Sequence, residues 1–328
     1  MGVARTLKNS SPSDGAFNFG GLTAEMIPDG PPRFSVLPVP YDLTASYMSG
    51  MRNGPRAIIE ASTHMELYDD ELGCEPYLTG IETLAPLEPT ALGPREMIKK
   101  VRLKAAEMLG SGRIPVMLGG EHSITLGLVE ALLKRYPNLS VLQLDAHADM
   151  RDEYQETPFN HACVARRISE LCPIVQVGIR SLSVEEADFL KDAPRGRLKT
   201  FYADAVMAQG ASKAAQAAAK ALTEDVFITV DLDVFDPSIM PATGTPEPGG
   251  LLWRDALDVL RTVASKKRVV GFDVVELCPM PGNVAPDFMA AKLVYKLMGY
   301  INARIDRPKA RGRQGGIPPL FKGGVRGG

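Results

Sequence analysis

A chain of 328 residues, 45% hydrophobic and 23% charged, is long enough to bury a large core, as one big domain or two ordinary ones. A formal net charge of -2 gives no whole-molecule field that would favour nucleic acid or an anionic membrane. No stretch has the apolar length that spans a bilayer.

Residues 1–29 hold Ser, Gly and Pro around no apolar core, so no signal peptide is expected. Next comes a strand over 33–39. Pro94 stands where a first-turn proline is tolerated, ahead of a helix over 95–109. A strand over 114–118, a helix over 124–134 and strands over 140–144 and 174–177 follow. Ser183 and Glu186 fit a capping box for a helix over 185–191. The chain continues with a helix over 212–222, a strand over 226–230, a helix over 253–265, a strand over 268–275 and a helix over 286–305. This alternation predicts right-handed βαβ units and a mostly parallel sheet, and the nearly continuous apolar strands predict that both its faces are covered. No linker divides 33–305, which is expected to be one domain, with an N-terminal arm at 1–32. Residues 306–328 are rich in Gly, Arg and Pro and are expected to be a disordered tail. Cys74, Cys163, Cys172 and Cys278 form no Cys-x-x-Cys pair. Reduced thiols and a cytoplasmic location are expected, with Cys163 and Cys278 as small buried hydrophobes.

Ligands of such sheets bind beyond the carboxyl ends of the strands. Three strands here end in clusters of acids and histidines. Gly119-Gly120-Glu121-His122-Ser123 follows the first, Asp145-Ala146-His147-Ala148-Asp149 the second, and Asp231-Leu232-Asp233-Val234-Phe235-Asp236 the third. In an extended segment alternate residues face the same way, so Asp145, His147 and Asp149 would point together, as would Asp231 and Asp233. Crowded carboxylates repel one another, and a divalent cation removes that cost. Oxygen-rich sites with some imidazole suit manganese and similar hard metals, and four carboxylates with two histidines exceed the needs of one ion. Two metals sharing bridging carboxylates account for the count and can bind and activate a water. A lone Asp-x-Asp or a lone His usually means nothing. Yet three of the four histidines, His122, His147 and His161, lie in or just after these strand ends, and His64 is left as ordinary surface or helix packing.

With these motifs the sequence resembles the ureohydrolase family, the arginases and agmatinases. Thr-Val-Asp-Leu-Asp-Val-Phe-Asp-Pro at 229–237, Gly-Thr-Pro-Glu-Pro-Gly-Gly at 244–250, Gly-Phe-Asp-Val-Val-Glu at 271–276 and Gly-Pro-Arg-Ala-Ile at 54–58 carry the likeness, together with the first two clusters. It runs from Val36 to Ile301. The resemblance implies a three-layer α/β/α fold with a mainly parallel sheet of about eight strands. It implies two Mn2+ ions, one held by His122, Asp145, Asp149 and Asp231, the other by His147, Asp145, Asp231 and Asp233, with Asp145 and Asp231 bridging. Glu276 would receive the substrate guanidinium and His161 would pass a proton to the leaving amine, with Asp236 and Asp273 as supports behind the ligands. The expected reaction cuts urea from a guanidino compound, agmatine first, giving putrescine. Guanidinobutyrate and aminopropylagmatine are the alternatives. A single-zinc deacetylase and a non-catalytic relative fit less well, because the two-metal ligand set is complete. The expected partners are the small guanidino substrate and further copies of the chain, in a trimer or hexamer, with no nucleic acid and no membrane. The acids Asp152, Glu153 and Glu156 predict attraction of an ammonium tail, and Arg151 is the residue that would instead pair with a carboxylate.

Overall fold

A computed structural model describes residues 17–194 and 196–305 of the chain. The expectations for residues 1–16 of the arm and for the tail at 306–328 lie outside these residues. Strands Phe34–Val39 (β1), Ile81–Thr83 (β2), Ile114–Gly119 (β3), Leu139–Leu144 (β4), Ile174–Ile179 (β5), Leu198–Tyr202 (β6), Asp225–Asp231 (β7) and Arg268–Val275 (β8) form one sheet. Its order is β2-β1-β3-β8-β7-β4-β5-β6, and every neighbouring pair is parallel. The helices are Gly54–Ser62 (α1), Pro94–Gly110 (α2), Thr125–Arg135 (α3), Val164–Leu171 (α4), Val184–Asp192 (α5), Ala203–Gln209 (α6), Ala211–Ala221 (α7), Trp253–Lys266 (α8) and Ala285–Ile305 (α9). The expected three-layer arrangement with eight strands is what the chain adopts.

The strand sequences explain the layers. In β1, Phe34 and Val36 join one apolar cluster with residues of α1, α7, α8 and α9, while Leu37 and Val39 join another with α2, α3 and α4. Both faces of the strand are therefore withdrawn from water, at about 1.5–3 kcal/mol per large aliphatic side chain. Pro94 opens α2, and Ser183 and Glu186 form the reciprocal cap of α5, as their sequence context predicts. Five elements go beyond the sequence expectation: β2, β6, α1, α4 and α6. The two strands are the sheet edges. β2 has only three residues, and β6 is mostly half-buried or exposed, so neither carries the apolar run of a central strand.

The order of the strands positions the site. β3, β8, β7 and β4 are consecutive in the middle of the sheet. The segments that leave their carboxyl ends begin at Gly120, Glu276, Leu232 and Asp145, so the clustered acids and histidines converge from four neighbouring strands.

Candidate metal centre

The Gly-Gly pair after β3 allows a close crossing. A Cβ on Gly120 would stand 2.0 Å from the carbonyl oxygen of Tyr41, so only glycine lets the chain pass the exit of β1. His122 follows, fully buried, with Nε2 2.8 Å from the Thr229 hydroxyl. Its other ring nitrogen, Nδ1, lies 3.2 Å from Asp145 Oδ2, 3.2 Å from Asp149 Oδ2 and 3.3 Å from Asp231 Oδ2. Despite that proximity Nδ1 makes no aligned hydrogen bond. An orphaned imidazole nitrogen facing three carboxylates fits a bound cation better than a network of hydrogen bonds. A second group lies alongside. His147 Nδ1 is 2.7 Å from Asp233 Oδ2 and 3.9 Å from Asp145 Oδ1. His122, Asp145 and Asp149 form one set of potential ligand atoms within 4.8 Å of one another; Asp145, His147 and Asp233 form another. Asp145 belongs to both.

The route to this convergence differs from the extended geometry the sequence suggested. β4 ends at Leu144, and Asp149 adopts a left-handed backbone with φ 52°. After β7 the chain makes a 3-10 turn, Leu232–Val234, capped by Asp231, whose carboxylate accepts from the Asp233 amide at 2.9 Å. Asp233 in turn accepts from the Ala146 amide at 2.9 Å, and Asp145 from the His147 amide at 2.6 Å and the Gln143 side chain at 2.7 Å. Backbone amides thus aim the carboxylates before any ion binds. Arg180, unassigned in the sequence, holds this turn: its guanidinium donates to the carbonyls of Asp233 and Glu247, each at 2.7 Å. Asp273 is buried and accepts from the Thr125 hydroxyl at 2.8 Å, and burial raises its carboxyl to about 6 against the smaller pull of His122, Thr229 and Thr125. Asp236 does something else. It accepts from the amides of Ser238, Gly249 and Gly250, and so pins the 244–250 loop instead of a ligand.

Assembling these charges is costly. Burial, then the neighbouring Asp149 and Asp233, push the Asp145 carboxyl up to about 7. Burial and then Asp233 and Asp145 raise Asp231 well above its usual range. For Asp233 burial is outweighed by His147, which holds the carboxyl down at about 2 while its own ring rises to about 11. Such opposed displacements in one cleft mark a functional site.

The cleft over these groups has a volume of about 140 Å³. Asp149, Asp231, Asp233, His147, His161 and Glu276 all line it. Glu276 sits just after β8 with φ 67°, a backbone conformation that L side chains rarely adopt and one that clusters at functional sites. Its Oε1 accepts from the His122 amide at 2.6 Å. The acids expected to attract an ammonium do not line the cleft. Asp152 is exposed and paired with Arg166 and Arg167, and Glu153 and Glu156 are also exposed. Arg151 and Tyr154 of the same loop do line it, with the Arg151 guanidinium 4.9 Å from the Tyr154 ring centroid. His64 is exposed, and Cys163 and Cys278 are buried with free thiols, as expected. No helix among the described residues is long and apolar enough to cross a membrane.

Comparison with known proteins agrees with this fold. The model of the Arginase family matches residues 32–299. An N(1)-aminopropylagmatine ureohydrolase from Synechocystis sp. is 42% identical over 272 residues, covering 81% of this chain and 88% of the relative. An agmatinase from Pyrococcus horikoshii is 32% identical over 270 residues, covering 81% and 91%. Among solved structures, the agmatine ureohydrolase of Thermoplasma volcanium superposes with a TM-score of 0.74 at 33% identity, covering 83% of this chain and 90% of that one.

Proposed function

This chain belongs to the arginase family, and we propose that it is a binuclear manganese ureohydrolase that releases urea from agmatine or its N1-aminopropyl derivative. The observation that carries this reading is the pair of His/Asp clusters sharing Asp145, in one cleft with Glu276 and His161. The donor set is rich in oxygen with one imidazole in each cluster, which suits manganese over zinc or copper. His122, Asp145, Asp149 and Asp231 would hold one ion, and His147, Asp145, Asp231 and Asp233 the other. When bound, the metal pair supplies Lewis acidity and lowers the pKa of water.

The chain's own residues supply the remainder. Glu276 has one oxygen occupied by the His122 amide. Its other oxygen has no hydrogen-bond partner among the described residues and can accept from the planar guanidinium, which orients the carbon under attack. His161, on the cleft wall, would take a proton from the attacking water and pass it to the departing amine, so that water and guanidinium leave as urea and an amine. We take 33–305 as the catalytic unit, cytoplasmic and assembled as a trimer or hexamer, on the strength of the family resemblance.

The tail of the substrate is the finer question. Four relatives at 37–42% identity are named for aminopropylagmatine, ahead of agmatinases at 30–32%, which supports an amine tail, including the extended one. A second reading, 4-guanidinobutyrate, is favoured by Arg151, which lines the cleft with no carboxylate partner among the described residues. The experiment is kcat/KM for urea release from agmatine, N1-aminopropylagmatine, arginine and 4-guanidinobutyrate at equal manganese loading. Arginine should trail the better amine by about a hundredfold, the scale of fitting a carboxylate-bearing tail to a site built for an amine. A preference for 4-guanidinobutyrate would assign the tail to Arg151 and overturn the amine reading. No urea from any of the four would overturn the reaction itself.

A further inference from the structure

Thr44 lies in the segment after β1, 117 residues from His161, and its hydroxyl sits between two groups. On one side Glu121, 0% exposed, accepts from the Thr44 hydroxyl at 2.8 Å and from the Thr44 amide at 2.5 Å. The Ser123 hydroxyl donates to the same carboxylate. On the other side the Thr44 oxygen lies 3.2 Å from His161 Nδ1 and accepts from the His161 amide, also at 3.2 Å. We infer that Thr44, backed by Glu121, is a positioning residue that fixes His161 as the tautomer protonated on Nδ1 and leaves Nε2 to the cleft. The inference deepens the proposed reaction and rests on His161 being the group that carries its proton to the leaving amine.

The argument is one of hydrogen count. A hydroxyl has a single hydrogen, and here it goes to the carboxylate. The Thr44 oxygen can then only accept, so the ring nitrogen facing it must carry a hydrogen. The opposite tautomer would set a lone pair on Nδ1 against the lone pairs of Thr44. Both Thr44 and Glu121 are buried, so water does not readily relieve that conflict. Among the described residues no protein group bonds Nε2, and the edge of Tyr154, with ring centroids 6.4 Å apart and planes at 89°, flanks the ring. Nε2 thereby keeps its lone pair toward the cleft, where it can take a proton from the attacking water and hand it to the leaving amine. The order of groups is that of a buried acid orienting a histidine, with a threonine hydroxyl interposed.

The test reads the tautomer directly. Histidine-labelled protein is loaded with diamagnetic magnesium, and the 15N shifts of its four histidines are recorded, with His161→Gln providing the assignment. The wild type should show His161 protonated on Nδ1. Thr44→Val should show a mixture of tautomers, with kcat on manganese-loaded protein about 10–100-fold lower and KM nearly unchanged. Thr44→Ser should restore both. If the valine variant does not fold, Thr44→Ala removes the same hydroxyl and carries the same expectation. A wild-type ring protonated on Nε2 would overturn the inference, and so would a Thr44→Val protein with unchanged tautomer and unchanged kcat. Full urea release by His161→Gln would instead remove the proton-donor reading beneath it, an outcome the tautomer measurement keeps separate.

Discussion

Asp145→Ala is expected to lower urea release by at least a thousandfold, roughly 4 kcal/mol of transition-state stabilisation, and to take metal binding down with it. Asp145 is the residue common to both ligand clusters, so its loss damages both ion sites at once. The same change should act in the opposite sense on the metal-free protein. There the Asp145 carboxyl is buried beside Asp149 and Asp233 and held up at about 7. Between the ordinary aspartate range and that value the folded chain keeps a proton that the unfolded chain has released. Stability of the chelated wild type should therefore fall as pH rises through this window, and the alanine variant should show a shallower decline, because Asp231 stays buried beside Asp233. Metal reverses the balance, because ions bind only the folded arrangement and add stability by mass action. Melting temperatures of wild type and variant, chelated and manganese-loaded, measure all of this. A variant that keeps its metal content, or a loaded wild type no more stable than the chelated one, would contradict the shared-ligand account.

Glu276→Gln should separate substrate docking from metal binding. The change keeps the shape and an acceptor oxygen for the His122 amide, and removes the charge that a guanidinium would meet. Catalytic efficiency should fall by about a thousandfold, roughly 4 kcal/mol, with metal content intact. That pattern differs from Asp145→Ala, where activity and metal are lost together. Efficiency within tenfold of wild type would mean that the guanidinium is received elsewhere. The backbone strain at Glu276 gives a second handle. Glu276→Gly would relax φ 67° without supplying an acceptor, so it should fold and bind metal but not turn over.

Six strands are legible in the sequence because each is a nearly continuous apolar run, and the site is legible because three of them, β3, β4 and β7, stop at a cluster of acids and histidines. The edge strands β2 and β6 are not, since an edge carries polar residues that read as loop. Helix α6 escapes because it starts immediately after β6, with no turn residues between them. Charge order along a loop was also a poor guide. Asp152, Glu153 and Glu156 read as an acidic rim, yet the cleft receives their neighbours Arg151 and Tyr154. Facing is set by the left-handed residues Asp149, Gln155 and Glu156, which no periodicity reports. Thr44 was invisible for a different reason. A single threonine far from His161 has no local pattern, and only the fold brings the two together. Glu121 did stand inside the Gly-Gly-Glu-His-Ser motif, and its place beside His122 was the available signal.

The central claim, a two-metal ureohydrolase, is tested most directly by titrating manganese into chelated protein while following urea release from agmatine and N1-aminopropylagmatine. Activity should rise with added metal and reach its plateau at two ions per chain. A plateau at one ion per chain, or no urea from either compound at full loading, would contradict it.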